Sequence, residues 1–124
     1  MKLFPIEFKA GVPVYEQVLY AARKAIISDE LQPGDDFPSV RALSAEFKIN
    51  PNTVQKALTA LKNEGLIESV PGIGNRVTAA PKSTARQRDA LLDGQLEAVV
   101  VRAKQLGLSV SEVLDALRTH WKNL

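Results

Sequence analysis

The chain has 124 residues, contains no cysteine and carries a formal net charge of +2. Its length allows one ordinary domain with a small appendage, and the lack of cysteine excludes a disulfide scaffold, a thiol nucleophile and cysteine-ligated metal sites. Because no apolar run approaches the length of a membrane span and no signal-peptide core follows Lys2, we expect a soluble, cytoplasmic protein with no membrane partner.

Charged side chains are unevenly distributed along the chain. Residues 1–80 carry nine basic and nine acidic side chains, yet residues 48–62 hold three lysines and no acid, whereas residues 29–36 hold four acids. A local basic patch of this kind suits phosphate groups. On the charges alone, a solvated helix face remains the more common explanation.

Two helices are predicted in the first 50 residues. Helical periodicity begins at Val14 and should end near Leu31, because the Gln-Pro-Gly sequence that follows is a stop signal. Ser39 is a favourable N-cap for a short second helix that ends near Lys48.

A third helix follows almost immediately. Asn50 can cap its first amides, Pro51 suits the first helical position, and Gly65 is a C-terminal stop. Two short helices joined this tightly predict a helix-turn-helix. Residues 66–70 and 76–78 read as two strands around a glycine-rich tip, which predicts a hairpin wing behind the third helix.

The remainder of the chain is helical again. Periodicity predicts one helix over about residues 84–106, and the Ser-Val-Ser-Glu sequence at 109–112 is a capping-box pattern that begins another. We therefore expect a mainly helical (α+β) fold. It comprises a winged helix-turn-helix in residues 1–78, a linker in 79–85 and a two-helix element in 86–124.

Six sequence blocks share one family pattern: residues 13–17, 31–35, 37–44, 50–58, 64–67 and 72–74. In this order they resemble the DNA-binding domain of GntR-type transcription regulators. A short tail and the Asn-Pro-Asn-Thr-Val sequence at 50–54 further resemble the YtrA-like subfamily. The resemblance implies a DNA-binding domain followed by a two-helix dimerisation element in place of a large ligand-binding domain.

The start of the third helix is expected to contact the DNA bases. The first residues of a recognition helix reach base edges; Asn and Gln side chains suit adenine, and Lys suits guanine or phosphate. Helix N-termini also offer free amides to phosphate. The alternative is that Asn52 and Thr53 only cap and solvate the helix. Many GntR proteins carry arginine where this chain has Pro51 and Gln55, so base reading should shift to Asn52, Gln55 and Lys56.

Arg41 and the wing are the other expected DNA contacts. A cation in the first helical turn is unfavourable, so an external anion is the expected partner of Arg41; the alternative is an ion pair with Glu46. A glycine-rich tip can approach a groove closely, and it can equally be an ordinary loose turn. The predicted DNA-binding residues are Ser39, Arg41, Asn50, Pro51, Asn52, Thr53, Gln55, Lys56, Gly72, Gly74, Asn75 and Arg76.

The two C-terminal helices carry more aliphatic surface than one helical hairpin can bury. A two-fold dimer would bury that face, although packing against the chain's own DNA-binding domain is an alternative. The predicted dimerisation residues are Leu92, Leu96, Val99, Val100, Ala103, Leu106, Val113, Leu114, Leu117 and Trp121.

These features predict a sequence-specific transcription regulator that acts as a homodimer on a palindromic operator in double-stranded DNA. The resemblance implies a repressor of a transporter operon that responds to a small effector. We expect no cofactor, no metal and no enzymatic activity, because Asp35 and Asp36 read as loop residues and His120 as a helix C-terminal cation. A protein-binding winged helix and a small enzyme are the rival functions.

Overall fold

The computed structural model describes residues 3–79 and 83–124. These two stretches form separate compact units, here called the N-terminal unit (3–79) and the C-terminal unit (83–124). The predicted linker at 79–85 falls partly outside the described residues, and the first helix after it begins at Ala85.

Three helices build the N-terminal unit: α1 (Val14–Ile27), α2 (Val40–Phe47) and α3 (Pro51–Asn63). The bounds of α2 and α3 confirm the sequence expectation, because both helices begin at strong local caps. The Ser39 hydroxyl accepts a hydrogen bond from the amide of Ala42, as an N-cap should. The turn between α2 and α3 is three residues long, which confirms the helix-turn-helix.

Helix α1 is shorter than its periodicity predicts. It ends at Ile27 instead of near Leu31, because Asp29 adopts a left-handed conformation with φ of 63°. The amide of Leu31 then donates to the carbonyl of Ala25 at 3.0 Å. This turn returns Leu31 to the core, where its side chain is fully buried, so the stop comes before the Gln-Pro-Gly sequence.

The wing belongs to a three-stranded antiparallel sheet. Strands β2 (Ile67–Val70) and β3 (Gly74–Val77) form the predicted hairpin, and β1 (Asp36–Phe37) pairs with the other edge of β3. Strand β1 was not predicted, because two residues are too few to show a strand period. Its presence corrects the expectation that Asp36 is a loop residue.

The core of the N-terminal unit includes a segment that periodicity does not reveal. Phe4 is buried against the rings of Phe37 and Phe47, with centroids 5.7 and 6.2 Å away. The N-terminal segment therefore packs onto the domain. The buried core residues are Phe4, Val18, Leu19, Ala22, Ala25, Ile26, Leu31, Phe37, Leu43, Val54, Ala57, Leu58, Leu61, Leu66, Ile67 and Val77.

The C-terminal unit consists of helices α4 (Ala85–Asp89), α5 (Leu96–Gln105) and α6 (Val110–Asn123). A π-helical segment, Ala90–Gln95, joins α4 to α5, so the predicted single helix is interrupted. Glycine weakens α-helical geometry, and Gly94 lies within this segment. No helix among the described residues is long and apolar enough to cross a bilayer.

Candidate nucleic-acid interface

The cap of α3 uses the amides of its own first turn. The Asn50 side-chain oxygen accepts from the amide of Asn52 at 2.8 Å, and the Asn50 carbonyl accepts from those of Thr53 and Val54. Pro51 has no amide hydrogen to offer. The expectation that this helix start presents free amides to phosphate is therefore wrong, and anion binding here must come from side chains.

Helix α3 separates apolar and polar residues cleanly. Its four apolar core positions are buried, whereas Asn52, Gln55 and Lys56 are exposed on the other side of the helix. The Gln55 amide nitrogen lies 3.3 Å from the Thr59 hydroxyl, to which it donates a weak hydrogen bond. This leaves the Gln55 carbonyl oxygen and one amide hydrogen free of intramolecular partners among the described residues, so Gln55 can read a base edge.

Lys56 has a partner that the sequence did not reveal. Its ammonium lies 4.3 Å from the ring centroid of Tyr15 in the first turn of α1. A cation over an aromatic face is attracted by the ring quadrupole. Tyr15 thereby favours one placement of the Lys56 side chain beside α3. Tyr15 occurs in the first block of the GntR resemblance, but its contact with α3 depends on tertiary structure.

Arg41 lies in the first turn of α2 with its side chain exposed. No ion pair of Arg41 is formed within 4.0 Å across residues 3–79 and 83–124, so the predicted alternative partner Glu46 does not neutralise it. An exposed guanidinium in an unfavourable position of the helix dipole is available to an external anion.

The wing tip is open and depends on glycine. Gly72 and Gly74 have φ of 75° and 120°, values that side chains with a Cβ adopt only at a cost. Ile73 between them is exposed. Asn75 at the start of β3 accepts a long hydrogen bond of 3.4 Å from the Ser69 hydroxyl. The tip can therefore approach a surface closely through its backbone.

Arg76 lies within the sheet, away from the wing tip. It occupies the central strand, directly opposite Asp36 of β1 and Glu68 of β2. Its Nε lies 4.0 Å from a carboxylate oxygen of Asp36, too far for a hydrogen bond, and has no hydrogen-bond partner among the described atoms. Neighbouring carboxylates partly offset its charge, so Arg76 is a weaker candidate for phosphate binding than Arg41.

An ion pair ties α1 to the end of α3. Arg23 donates from Nε and from one terminal nitrogen to the two oxygens of Glu64, at 2.7 and 2.8 Å. Hydrogen bonding to Glu64 raises the pKa of the Arg23 guanidinium above its ordinary value. The pair is bidentate, and it fixes the end of the recognition helix against the scaffold.

The C-terminal unit exposes nearly all of its predicted dimerisation residues. Trp121 is 83% exposed, and Leu92, Val99, Leu106 and Leu117 are each about half exposed or more. Ala103, at 8%, is buried where α5 faces α6, and Val113 is partly buried. An open cleft of about 610 Å³ runs between α5 and α6, and its lining includes Val99, Leu106, Leu108 and Val113.

Within the described ranges, no three His, Cys, Asp or Glu side chains come together as a metal-binding group. His120 is exposed in the last turn of α6. Asp35 accepts a hydrogen bond from the amide of Gln32 at 2.8 Å, which gives it a turn-forming role.

The chain has close relatives among known regulators. Residues 14–77 match the family described as bacterial regulatory proteins, gntR family. Over 113 residues the chain is 31% identical to the uncharacterized HTH-type transcriptional regulator YhcF of Bacillus subtilis, a match that covers 91% of this chain and 93% of YhcF. Over 117 residues it is 30% identical to the HTH-type transcriptional repressor YtrA of the same bacterium, covering 94% of this chain and 90% of YtrA.

The fold is similar to that of a solved structure, a transcriptional antiterminator from Listeria monocytogenes EGD-e. The two share a TM-score of 0.83 and 25% identity, over 96% of this chain and 90% of that one. Near full-length matches to YhcF and YtrA agree with the short YtrA-like subfamily. The chain therefore belongs to the gntR family of bacterial regulatory proteins, and it is a DNA-binding transcription regulator and not an enzyme.

Proposed function

We propose that the protein is a cytoplasmic repressor that binds a palindromic operator as a homodimer. The observation that carries the proposal is the exposed polar face of α3, where Asn52, Gln55 and Lys56 lie opposite a fully buried apolar stripe. A protein-binding recognition helix would need apolar residues on that face. The relative YtrA, which aligns with 94% of this chain, is itself a transcriptional repressor.

Each protomer would recognise one half-site in the major groove. Asn52 and Gln55 have the amide groups that pair with adenine, and Lys56 suits guanine or a nearby phosphate. Arg41 has no carboxylate partner among the described residues, so it would bind a phosphate of the DNA backbone and set the position of α3. The open tip at Gly72 and Gly74 would approach the adjacent minor groove.

The C-terminal unit would hold the two protomers together. A large exposed apolar surface on a small helical unit is characteristic of a protein interface, and the cleft between α5 and α6 is wide enough to accept side chains from a second copy. A two-fold dimer makes this surface self-complementary and places two recognition helices on one side of the DNA. Simultaneous contact with both half-sites would then raise affinity without any new contact within a half-site.

The proposal also includes control of a transporter operon in response to a small effector. Both elements rest on the resemblance to the YtrA-like subfamily. A pocket for such an effector would have to be small or formed at the dimer interface, because the C-terminal unit contains only α4, α5 and α6 and the π-helical segment between α4 and α5.

Selection of bound DNA from a random duplex library tests the proposal. The expected result is one enriched palindrome whose half-site centres lie about one helical turn apart. A set of sequences with no shared motif, or no retained DNA, would contradict it.

A further inference from the structure

A second cleft lies beside the start of α3, in the N-terminal unit. It encloses about 370 Å³ and is lined by four apolar side chains, Phe8, Val14, Phe47 and Ile49, and by two lysines, Lys9 and Lys48. Gln17 of α1, together with Asn50 and Thr53 from the start of α3, completes the lining. The two lysines belong to segments that are 39 positions apart in the sequence, so only the fold brings them to one site.

Lys9 is fixed to α1 through Gln17. The Gln17 side chain accepts a hydrogen bond from the Lys9 amide at 2.7 Å and donates to the carbonyls of Lys9 and Val12 at 3.0 and 2.9 Å. The neighbouring Phe8 ring packs edge-on against Phe47, with centroids 6.3 Å apart. The backbone of Lys9 is therefore held in place next to the helix-turn-helix.

Lys48 occupies a backbone position that suits glycine. It ends α2 in the left-handed conformation, with φ of 54° and ψ of 49°, which costs free energy for a residue with a Cβ. Gly65 after α3 and Gly107 after α5 adopt the same positive φ without that cost. The backbone conformation of this turn therefore does not favour lysine over glycine, so the presence of lysine here is not explained by the fold.

The two lysines are available to an anion. Within 4.0 Å, neither forms an ion pair with any carboxylate of the described residues. The first amides of α3 are already used by Asn50, so the lysines are the cationic groups of this cleft. The major groove is about 12 Å wide and a helix with its side chains is about 10–12 Å across, so groups flanking α3 face the rows of backbone phosphates.

We propose that Lys9 and Lys48 together bind one backbone phosphate at the edge of each half-site. The proposal rests on the proposed function, and it adds an N-terminal contact outside the helix-turn-helix. Lys48 reaches the phosphate from the turn and Lys9 from the segment before α1. The apolar lining of the cleft keeps both aliphatic side chains extended and leaves the ammonium groups in solvent.

Salt dependence measures this contact directly. Affinity for the selected operator would be measured over a range of salt concentrations for the full chain, for Lys9→Gln with Lys48→Gln, and for Lys24→Gln as a control. Lys24 is an exposed lysine in the last turn of α1. Log K falls with log salt, and loss of one phosphate contact per protomer reduces the magnitude of this negative slope by about 0.9, or by about 1.8 for a dimer. We expect this decrease in the double variant and no decrease in Lys24→Gln.

An unchanged slope in the double variant, or an equal decrease in Lys24→Gln, would overturn the phosphate contact. If the phosphate contact is overturned but the double variant still selects the same operator, the proposed function is not affected. A full chain that retained no DNA at all would instead overturn both.

Three further measurements distinguish this contact from a structural role and from a free-anion site. Lys48→Gly should raise the melting temperature by relieving the left-handed strain, and it should make the negative slope of log K against log salt less steep. A higher melting temperature together with a steeper slope would contradict the proposal. Phosphate ethylation of the operator should inhibit the full chain at one position per half-site where the double variant is insensitive. If millimolar inorganic phosphate without DNA raised the melting temperature of the full chain but not of the double variant, the site would bind a free anion and the proposal would be wrong.

Discussion

The two units of the chain bury their apolar residues to very different extents. The N-terminal unit has a contiguous core of 16 buried residues, drawn from all three helices, the sheet and the N-terminal segment. Of the residues described in the C-terminal unit, only Ala103 is buried. Burial of apolar surface is the main favourable term in folding, so the first unit has the core that it needs to fold alone, whereas the second leaves most of its apolar surface exposed. In the proposed dimer, the first unit recognises DNA and the second unit supplies the surface that joins the protomers.

Removal of the C-terminal unit should have the largest effect. A chain that ends at Thr78 keeps the whole buried core, because the last core residue is Val77. It should therefore fold and remain monomeric. Without a tethered second contact, its operator affinity should fall by about 10²–10⁴. Sedimentation measures the mass, and gel shifts on operators with altered half-site spacing should show no spacing preference. A truncated chain that stayed dimeric would assign the C-terminal unit another task.

Substitutions in the two units should differ in their dependence on protein concentration. Leu58→Ala removes a fully buried side chain of α3 and should lower the free energy of unfolding by about 2–5 kcal/mol at any concentration. Leu96→Ala removes an exposed side chain of α5 and should act mainly by weakening the dimer. Denaturant unfolding at several protein concentrations distinguishes the two variants. If the loss of unfolding free energy depended equally on protein concentration in both, the proposed difference between the two units would be wrong.

Within the recognition helix, Gln55→Ala should affect specificity as well as affinity. Loss of one base contact should cost about 1–3 kcal/mol per half-site and relax the preference at one base position. Arg41→Ala is the matched control, because loss of a phosphate contact should weaken all sequences alike. Selection from a random library with each variant makes the measurement. The same motif from Gln55→Ala as from the parent chain would refute the assignment of base reading.

The smallest effect should come from the ion pair between α1 and α3. Arg23 and Glu64 are both partly exposed, and pairs of this kind contribute about 0.2–1 kcal/mol. A double-mutant cycle of Arg23→Ala and Glu64→Ala, followed by thermal unfolding, should give a coupling in that range that decreases with salt. No coupling would show that the pair has no part in fixing the end of α3.

Local signals account for what the sequence predicted well. Helices α2 and α3 begin where Ser39 and Asn50 cap them, and the polar side of α3 follows from its helical period. The features that were missed depend on distant residues. Phe4 is buried only because Phe37 and Phe47 surround it, and β1 exists only because β3 pairs with it.

At the candidate interface, too, the features that depend on local sequence could be predicted and those that depend on distant residues could not. Exposure of Gln55 could be predicted from the period of one helix, whereas the stacking of Lys56 on Tyr15 joins residues 41 positions apart. The offset of Arg76 by Asp36 depends on the unpredicted strand β1. The π-helical segment at Ala90–Gln95 left no clear pattern beyond Gly94, since one glycine within a helical period is compatible with an unbroken helix.

The stoichiometry of the DNA complex tests the central claim most directly. Sedimentation of the full chain with its selected operator should give two chains on each duplex, with no stable complex of one chain, because in the proposed dimer the C-terminal unit joins the protomers before both domains contact DNA. A predominant complex of one chain per duplex would contradict the account.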